Sequence, residues 1–167
     1  MTQLDFDLLE RQVRALLSKD GGVVANAANF AAFVFQEIPE INWAGFYFAQ
    51  PAGDLLLGPF GGRPACTRLP RGRGVCGAAF VRGETVVVDD VERFADHVVC
   101  DSASRSEIVV PFFIGTDVAG VFDVDSPRVA RFSDGDRAGI EALVAAFAES
   151  AGYRAGGGPP GGGPPGG

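Results

Sequence analysis

Two nine-residue segments, SEIVVPFFI (106–114) and VAGVFDVDS (118–126), are separated only by Gly115-Thr116-Asp117. A link that short joins antiparallel neighbours, because a parallel crossover needs a dozen residues or more. Both segments are rich in branched and aromatic residues, which suit a pleated and buried surface. Strand alternation sends Asp123 and Asp125 to one face and Phe122 and Val124 to the other. One face of this pair is therefore apolar, and the other carries carboxylates.

The surrounding sequence supplies more strands and the helices to cover them. NWAGFYFA, the turn PAGD and LLLGPF read as a second hairpin, and TVVVDD as a further buried strand. Leu9, Val13, Leu16 and Leu17 recur at helical spacing, with Gly21-Gly22 as the expected end of that helix. A second helix is predicted from about Val24 to Glu37, stopped by Pro39. Ser133 and Asp136 resemble a capping box ahead of the stripe Ile140, Leu143, Val144 and Phe147. GRGVCGAAFVRG reads as a loop opening into a short helix, and Val91 to Arg105 as a long loop. Hairpins with long helices at both ends predict an α+β domain: an antiparallel sheet with the N- and C-terminal helices packed on one face.

With 167 residues, one domain is expected, over 1–154. Residues 155–167 (AGGGPPGGGPPGG) hold no charge and no large apolar side chain, and read as a disordered tail. A formal charge of −7 disfavours nucleic acid and anionic membranes as partners. No apolar run approaches the length of a membrane span, and the charged N-terminus does not resemble a secretory signal, so a cytoplasmic protein is expected. Three cysteines and a single histidine, with no CxxC pair, make a metal site unexpected. In a reducing compartment the three thiols are left as packing residues or as redox groups.

Several residues could carry chemistry. If Glu107, at the start of the neighbouring strand, converges with Asp123 and Asp125, repulsion and burial must keep at least one of them protonated; a solvent-facing strand surface is the plainer alternative. Cys100 lies in HVVCD, where His97 or Arg105 could stabilise a thiolate, although a small buried residue would look the same. Cys76, at a helix start, reads first as core. Cys66 lies between glycine- and proline-rich turns, an exposed position suited to a resolving thiol. Gly72 to Gly77 satisfies GxGxxG but belongs to no strand-helix-strand unit, so a dinucleotide is rejected, while the helix start could still offer N–H groups to a carboxylate. Trp43 and Tyr47 share a strand face; both could be core, yet an indole suits a methyl-sulfur group or a small cation.

Taken together, INWAGFYF, LGPF with GGRPACTRLP, GRGVCG, HVVCDSASRSEIVVP and GVFDVDS followed by RFSDGD closely resemble the free methionine-(R)-sulfoxide reductases, single-domain members of the GAF superfamily. The resemblance runs from about Ile41 to Asp136. It implies reduction of free L-methionine-(R)-sulfoxide through a sulfenic acid, with no bound cofactor and with thioredoxin as external reductant. It assigns Cys100 as the nucleophile, Cys66 as the partner in the regenerating disulfide, and Cys76 as an auxiliary or alternative resolving thiol. The acidic substrate cluster falls on Glu107, Asp123 and Asp125, and the aromatic wall on Trp43 with Tyr47. A homodimer paired through helices is expected. A GAF sensor that binds a small ligand without turnover is the alternative, and a thiol peroxidase would leave the acid cluster without a purpose.

Overall fold

The computed structural model describes residues 4–100 and 102–155, the last two in backbone only. Helices α1 (Phe6–Leu16) and α2 (Gly22–Glu37) come first, followed by strands β1 (Trp43–Ala49), β2 (Leu55–Gly62) and β3 (Arg68–Leu69). Next are α3 (Gly74–Arg82), β4 (Val86–Val88), a 3-10 turn at Val91–Arg93, β5 (Ser106–Ile114), β6 (Asp117–Ser126), α4 (Asp134–Ala151) and β7 (Arg154–Ala155). The strands form one sheet in the order β3-β2-β1-β6-β5-β4, with β7 paired to β5. Every pairing is antiparallel, as the two hairpins require.

The period-two pattern of the central strands divides the molecule into two buried layers. On one face Phe46, Ile108, Phe112, Phe122 and Val124 meet α2 and α4, and α1 packs on these two helices in the same core. Phe46 lies at the centre of this core, with ring centroids 4.7 Å from Phe122, 4.4 Å from Phe147 and 5.6 Å from Phe30. The other face carries Trp43, Tyr47, Val109 and Val121, and α3 covers it. The terminal helices thus pack on one face, as the sequence predicts, and the single short helix takes the other.

The helix ends follow local chemistry. Asp5 caps α1 by accepting from the Leu8 N–H at 2.9 Å. Ser133 and Asp136 form the expected capping box at the start of α4. The glycine pair plays a different part from the one expected: α1 already stops at Leu17, and Gly21 is the N-cap of α2. Leu16 is exposed, so the buried stripe of α1 is Leu9 and Val13. Two short strands were not foreseen. β3 lies in the TRLP stretch, and β7 begins at Arg154, so Ala155, assigned to the tail by composition, pairs with Phe112. The rest of that tail lies outside the described residues. Among the described residues, no helix is long and apolar enough to cross a membrane.

Removing the ring at the centre of the helix-covered layer should be among the costliest single changes in the fold. Phe46→Ala is expected to lower unfolding stability by about 3–5 kcal/mol, measured by urea denaturation at constant m-value.

Candidate active site

The register of three strands builds the floor of a pocket. Trp43 on β1 stands opposite Asp125 on β6, and Asp125 stands opposite Glu107 on β5. Two residues along β6, Asp123 stands between Gly45 and Val109. An indole and three carboxylates therefore share one face because their positions have the same strand parity. Gly45 has its own part in this arrangement: a Cβ there would run into the Phe60 side chain and the Trp43 ring. Its absence lets the indole lie flat, stacked on Phe60 at 5.4 Å and on Tyr47 at 5.9 Å.

Helix α3 forms a side wall. Gly72 and Gly74 both take positive φ, so the chain turns sharply into the helix, and a Cβ on Gly74 would press against Val98. The turn delivers Cys76 to the floor, with its Sγ 4.0 Å from Glu107 Oε1. Two loops close the top: Pro64 and Ala65 from the β2–β3 connection, and His97, Val98 and Cys100 from the long loop. A disulfide between Cys66 and Cys100, with Cα atoms 5.4 Å apart, staples these loops together over a cavity of about 540 Å³ including its open mouth. The convergence expected of Glu107, Asp123 and Asp125 is present, and the plainer reading of a solvated strand surface fails because Glu107 and Asp123 are buried.

That burial sets the electrostatics. Desolvation lifts Glu107 well above the usual carboxylate range, and the negative charges of Asp123 and Asp125 add to the effect. Asp123 is pushed up to about 7 by burial, partly opposed by hydrogen bonding to Cys76 and Glu107. One oxygen of Asp123, Oδ1, is buried without a hydrogen-bond partner among the described residues. Burial and the surrounding carboxylates also raise the Cys76 thiol, which favours its protonated form. Cys76 is buried, as its position suggested, and in contact with the acids.

The two proposed activators of Cys100 fare differently. Arg105 turns away, with ion pairs at 3.6 Å to both Asp90 and Glu92, so its charge is engaged elsewhere. His97 lines the pocket with Nε2 3.9 Å from Glu107 Oε2, and burial lowers its pKa, which favours the neutral ring. The segment Gly72 to Gly77 opens α3 beside an entirely antiparallel sheet, so it lacks the parallel unit that a dinucleotide fingerprint requires. Among the described residues, Cys76, Glu107 and Asp123 place their ligand atoms within 4.8 Å of one another. A metal ion there would have to displace protons that burial holds tightly.

Sequence reasoning did not find two polar contacts of the aromatic wall. Tyr47 donates its hydroxyl to the Cys66 carbonyl at 2.8 Å, and Trp43 donates Nε1–H to the Arg63 carbonyl at 3.1 Å. It also missed Arg73 and Ser104 among the lining residues. No spacing rule predicts a side-chain donor to a loop carbonyl about twenty residues away; the one available signal was that a buried Tyr or Trp needs a partner for its polar hydrogen.

The raised acid makes a pH prediction with a definite sign. The folded pKa of Asp123 lies above its ordinary 3.8, so its contribution to stability is complete below about pH 4 and is lost as pH rises through about 7. Asp123→Asn should flatten this decline and gain on the order of 1–3 kcal/mol relative to the native chain at pH 8. Thermal unfolding from pH 4 to 8 checks this; parallel profiles for the two proteins would contradict it.

The comparisons with known proteins agree with this geometry. The family model described as GAF domain matches residues 11–153. The free methionine-R-sulfoxide reductase of Escherichia coli is 43% identical over 137 residues, covering 82% of each chain. A reduced-form structure of the Staphylococcus aureus enzyme fRMsr superposes with a TM-score of 0.85 at 39% identity, covering 90% of this chain and 99% of that one. The free methionine-R-sulfoxide reductase of Neisseria meningitidis, solved in complex with its substrate, gives a TM-score of 0.84 at 38% identity, covering 91% and 93%. The family shown by these matches is the one the motifs resembled: this chain belongs to the GAF-domain family of free methionine-R-sulfoxide reductases.

Proposed function

We propose that this chain reduces free L-methionine-(R)-sulfoxide to methionine with electrons from its own thiols. One observation carries the reading: a cysteine pair stands at the mouth of a pocket whose floor holds an indole and buried, partly protonated acids. Reductant and acid are thus supplied in one enclosed place. The GAF-sensor alternative gives no role to a redox pair at the pocket mouth.

The chemistry needs both groups. A Cys100 thiolate attacks the sulfoxide sulfur while Glu107 or Asp123 gives a proton to its oxygen, a poor leaving group when unprotonated. The bond from the methionine sulfur to its oxygen breaks as the oxygen passes to the Cys100 sulfur and the transient bond between the two sulfurs is released, leaving the Cys100 sulfenic acid and the thioether, so the cysteine sulfur loses two electrons and the methionine sulfur gains them. Cys66 then attacks the sulfenic sulfur, the S–S bond forms, the S–O bond breaks and water departs. A thioredoxin-like dithiol reduces the disulfide, which makes a reducing compartment such as the cytoplasm the natural setting, with no bound cofactor required. Cys76 would stand by as an auxiliary thiol.

Substrate recognition follows from the same surfaces. The Trp43 indole, with Tyr47 beside it, offers a flat apolar wall to the S-methyl group. The ammonium of a free amino acid finds acceptors among Asp125 and the buried, unpartnered Asp123 Oδ1. Its carboxylate can take the N–H groups that open α3. A pocket roofed by two stapled loops fits a free amino acid better than a side chain on a polypeptide. The exposed Leu8, Leu16, Val24 and Phe35 on α1 and α2 are the surface through which a homodimer would pair.

The test is methionine formation coupled to NADPH use through thioredoxin and its reductase. Free R-sulfoxide, free S-sulfoxide, a peptide-bound sulfoxide and hydrogen peroxide are offered separately. Turnover of the free R form alone is expected, abolished by Cys100→Ser and lowered about 100-fold in kcat by Glu107→Gln. Turnover that survives Cys100→Ser, or no turnover of any substrate with active thioredoxin, would sink the reading.

A further inference from the structure

The polar hydrogens of Tyr47 and Trp43 are given to the segment that carries Cys66. Tyr47 is 2% exposed and Trp43 3%, so both donors are dry, and their acceptors are the carbonyls of Cys66 and Arg63. A phenol has one proton to give. Committed to the Cys66 carbonyl, it is not available to a sulfoxide oxygen. We propose that Tyr47 is a positioning residue: its hydroxyl, assisted by the Trp43 N–H, holds the 63–66 segment where Cys66 can reach Cys100.

The geometry gives this tether leverage. A disulfide forms only when its Cα atoms lie within roughly 4.4–6.8 Å, and here they are 5.4 Å apart. The tethered carbonyl belongs to Cys66 itself, so the bond acts on the peptide unit next to the Cα that must stay in range. The next residue is fixed as well, since the Thr67 carbonyl accepts from the Leu57 N–H at 2.9 Å, and at the other end the Arg63 carbonyl is held by Trp43. Residues 63–66 are thereby held at both ends against the sheet. Burial, with the negative charge of Asp123 next in effect, raises the phenol pKa and keeps its proton in place as the donor.

The step served is the attack of the Cys66 thiolate on the Cys100 sulfenic sulfur, with the S–S bond forming as the S–O bond breaks and the oxygen leaving as water. That setting rests on the proposed function, but the tether can be tested without it. Tyr47→Phe keeps the ring and removes only the hydroxyl. The wild-type chain and the variant are equilibrated with graded ratios of reduced to oxidised dithiothreitol, quenched by alkylation, and read by peptide mass for the Cys66–Cys100 bond. The effective concentration of this thiol pair is expected to fall about five-fold in Tyr47→Phe, the value of one net hydrogen bond. A fall in the same direction is expected in Trp43→Phe.

Cys76 serves as the internal control, because a general loosening of the pocket would open it to alkylation, whereas loss of a tether leaves it protected. An unchanged dithiothreitol midpoint in Tyr47→Phe, or a changed one accompanied by Cys76 labelling, overturns the proposal. Single-turnover mixing with the sulfoxide separates the two readings. In Tyr47→Phe, disulfide formation should slow far more than methionine release, while absence of methionine from the wild-type chain would defeat the proposed function and leave the thiol equilibrium to decide the tether.

Discussion

Two buried carboxylates side by side, Glu107 and Asp123, are the arrangement on which the other parts of this molecule depend. Ionised together in a dry site they would repel strongly and lose their hydration, so the pocket holds at least one proton that water would have removed near neutral pH. The cost is met by the packing on the opposite face of the same strands, where Phe46, Phe112 and Phe122 lie in a core closed by three helices. Stability gathered on one side of the sheet thus offsets an unfavourable electrostatic arrangement on the other. The Cys76 thiol belongs to the same economy, since it fills the space beside Glu107 without adding a third ionised group.

The two faces are linked through backbone that has no freedom to choose. Asp123 and Asp125 alternate with Phe122 and Val124, so each acid is fixed by the apolar neighbours that flank it in sequence. Where the pocket needs precision beyond strand parity, single atoms supply it: the missing Cβ of Gly45 under the indole, and the glycine turn that brings Cys76 to the floor. The thiols are carried by loops and the acids by strands. Acids and the aromatic wall stand on β1, β5 and β6, while Cys66 and Cys100 stand on connections that their disulfide joins.

Much of this was legible in the sequence because it follows from period and spacing. The β5–β6 hairpin, the shared face of the two aspartates and the capping box at Ser133 are all local patterns, and the structure has each of them. The segments INWAGFYF, GRGVCG and HVVCD identified the family because each carries unusual residues in a fixed order. What escaped was either nonlocal or competitive. Gly21-Gly22 could end one helix or begin the next, and the side chain of Asn26 decides the matter by bonding back to Ser18 at the α1–α2 corner. Arg105 looked like a partner for Cys100 because it is near in sequence, but Asp90 and Glu92 compete for it from another part of the chain. The loop tethers of Tyr47 and Trp43 are tertiary contacts that no pattern of types encodes.

The alternation along β6 also restricts how such a chain can change. A strand has no third direction, so inserting or deleting one residue between Val121 and Asp125 would exchange the acids with the phenylalanine layer over part of its length. Carboxylates would face the helices and aromatic rings would fill the pocket, losing core and site in the same event. Substitutions can tune either side separately, but length variation is confined to the turns and to the loops bearing Cys66 and Cys100. Lineages of this fold are therefore expected to diverge in the reach and sequence of their cysteine loops while the spacing of the two aspartates stays fixed.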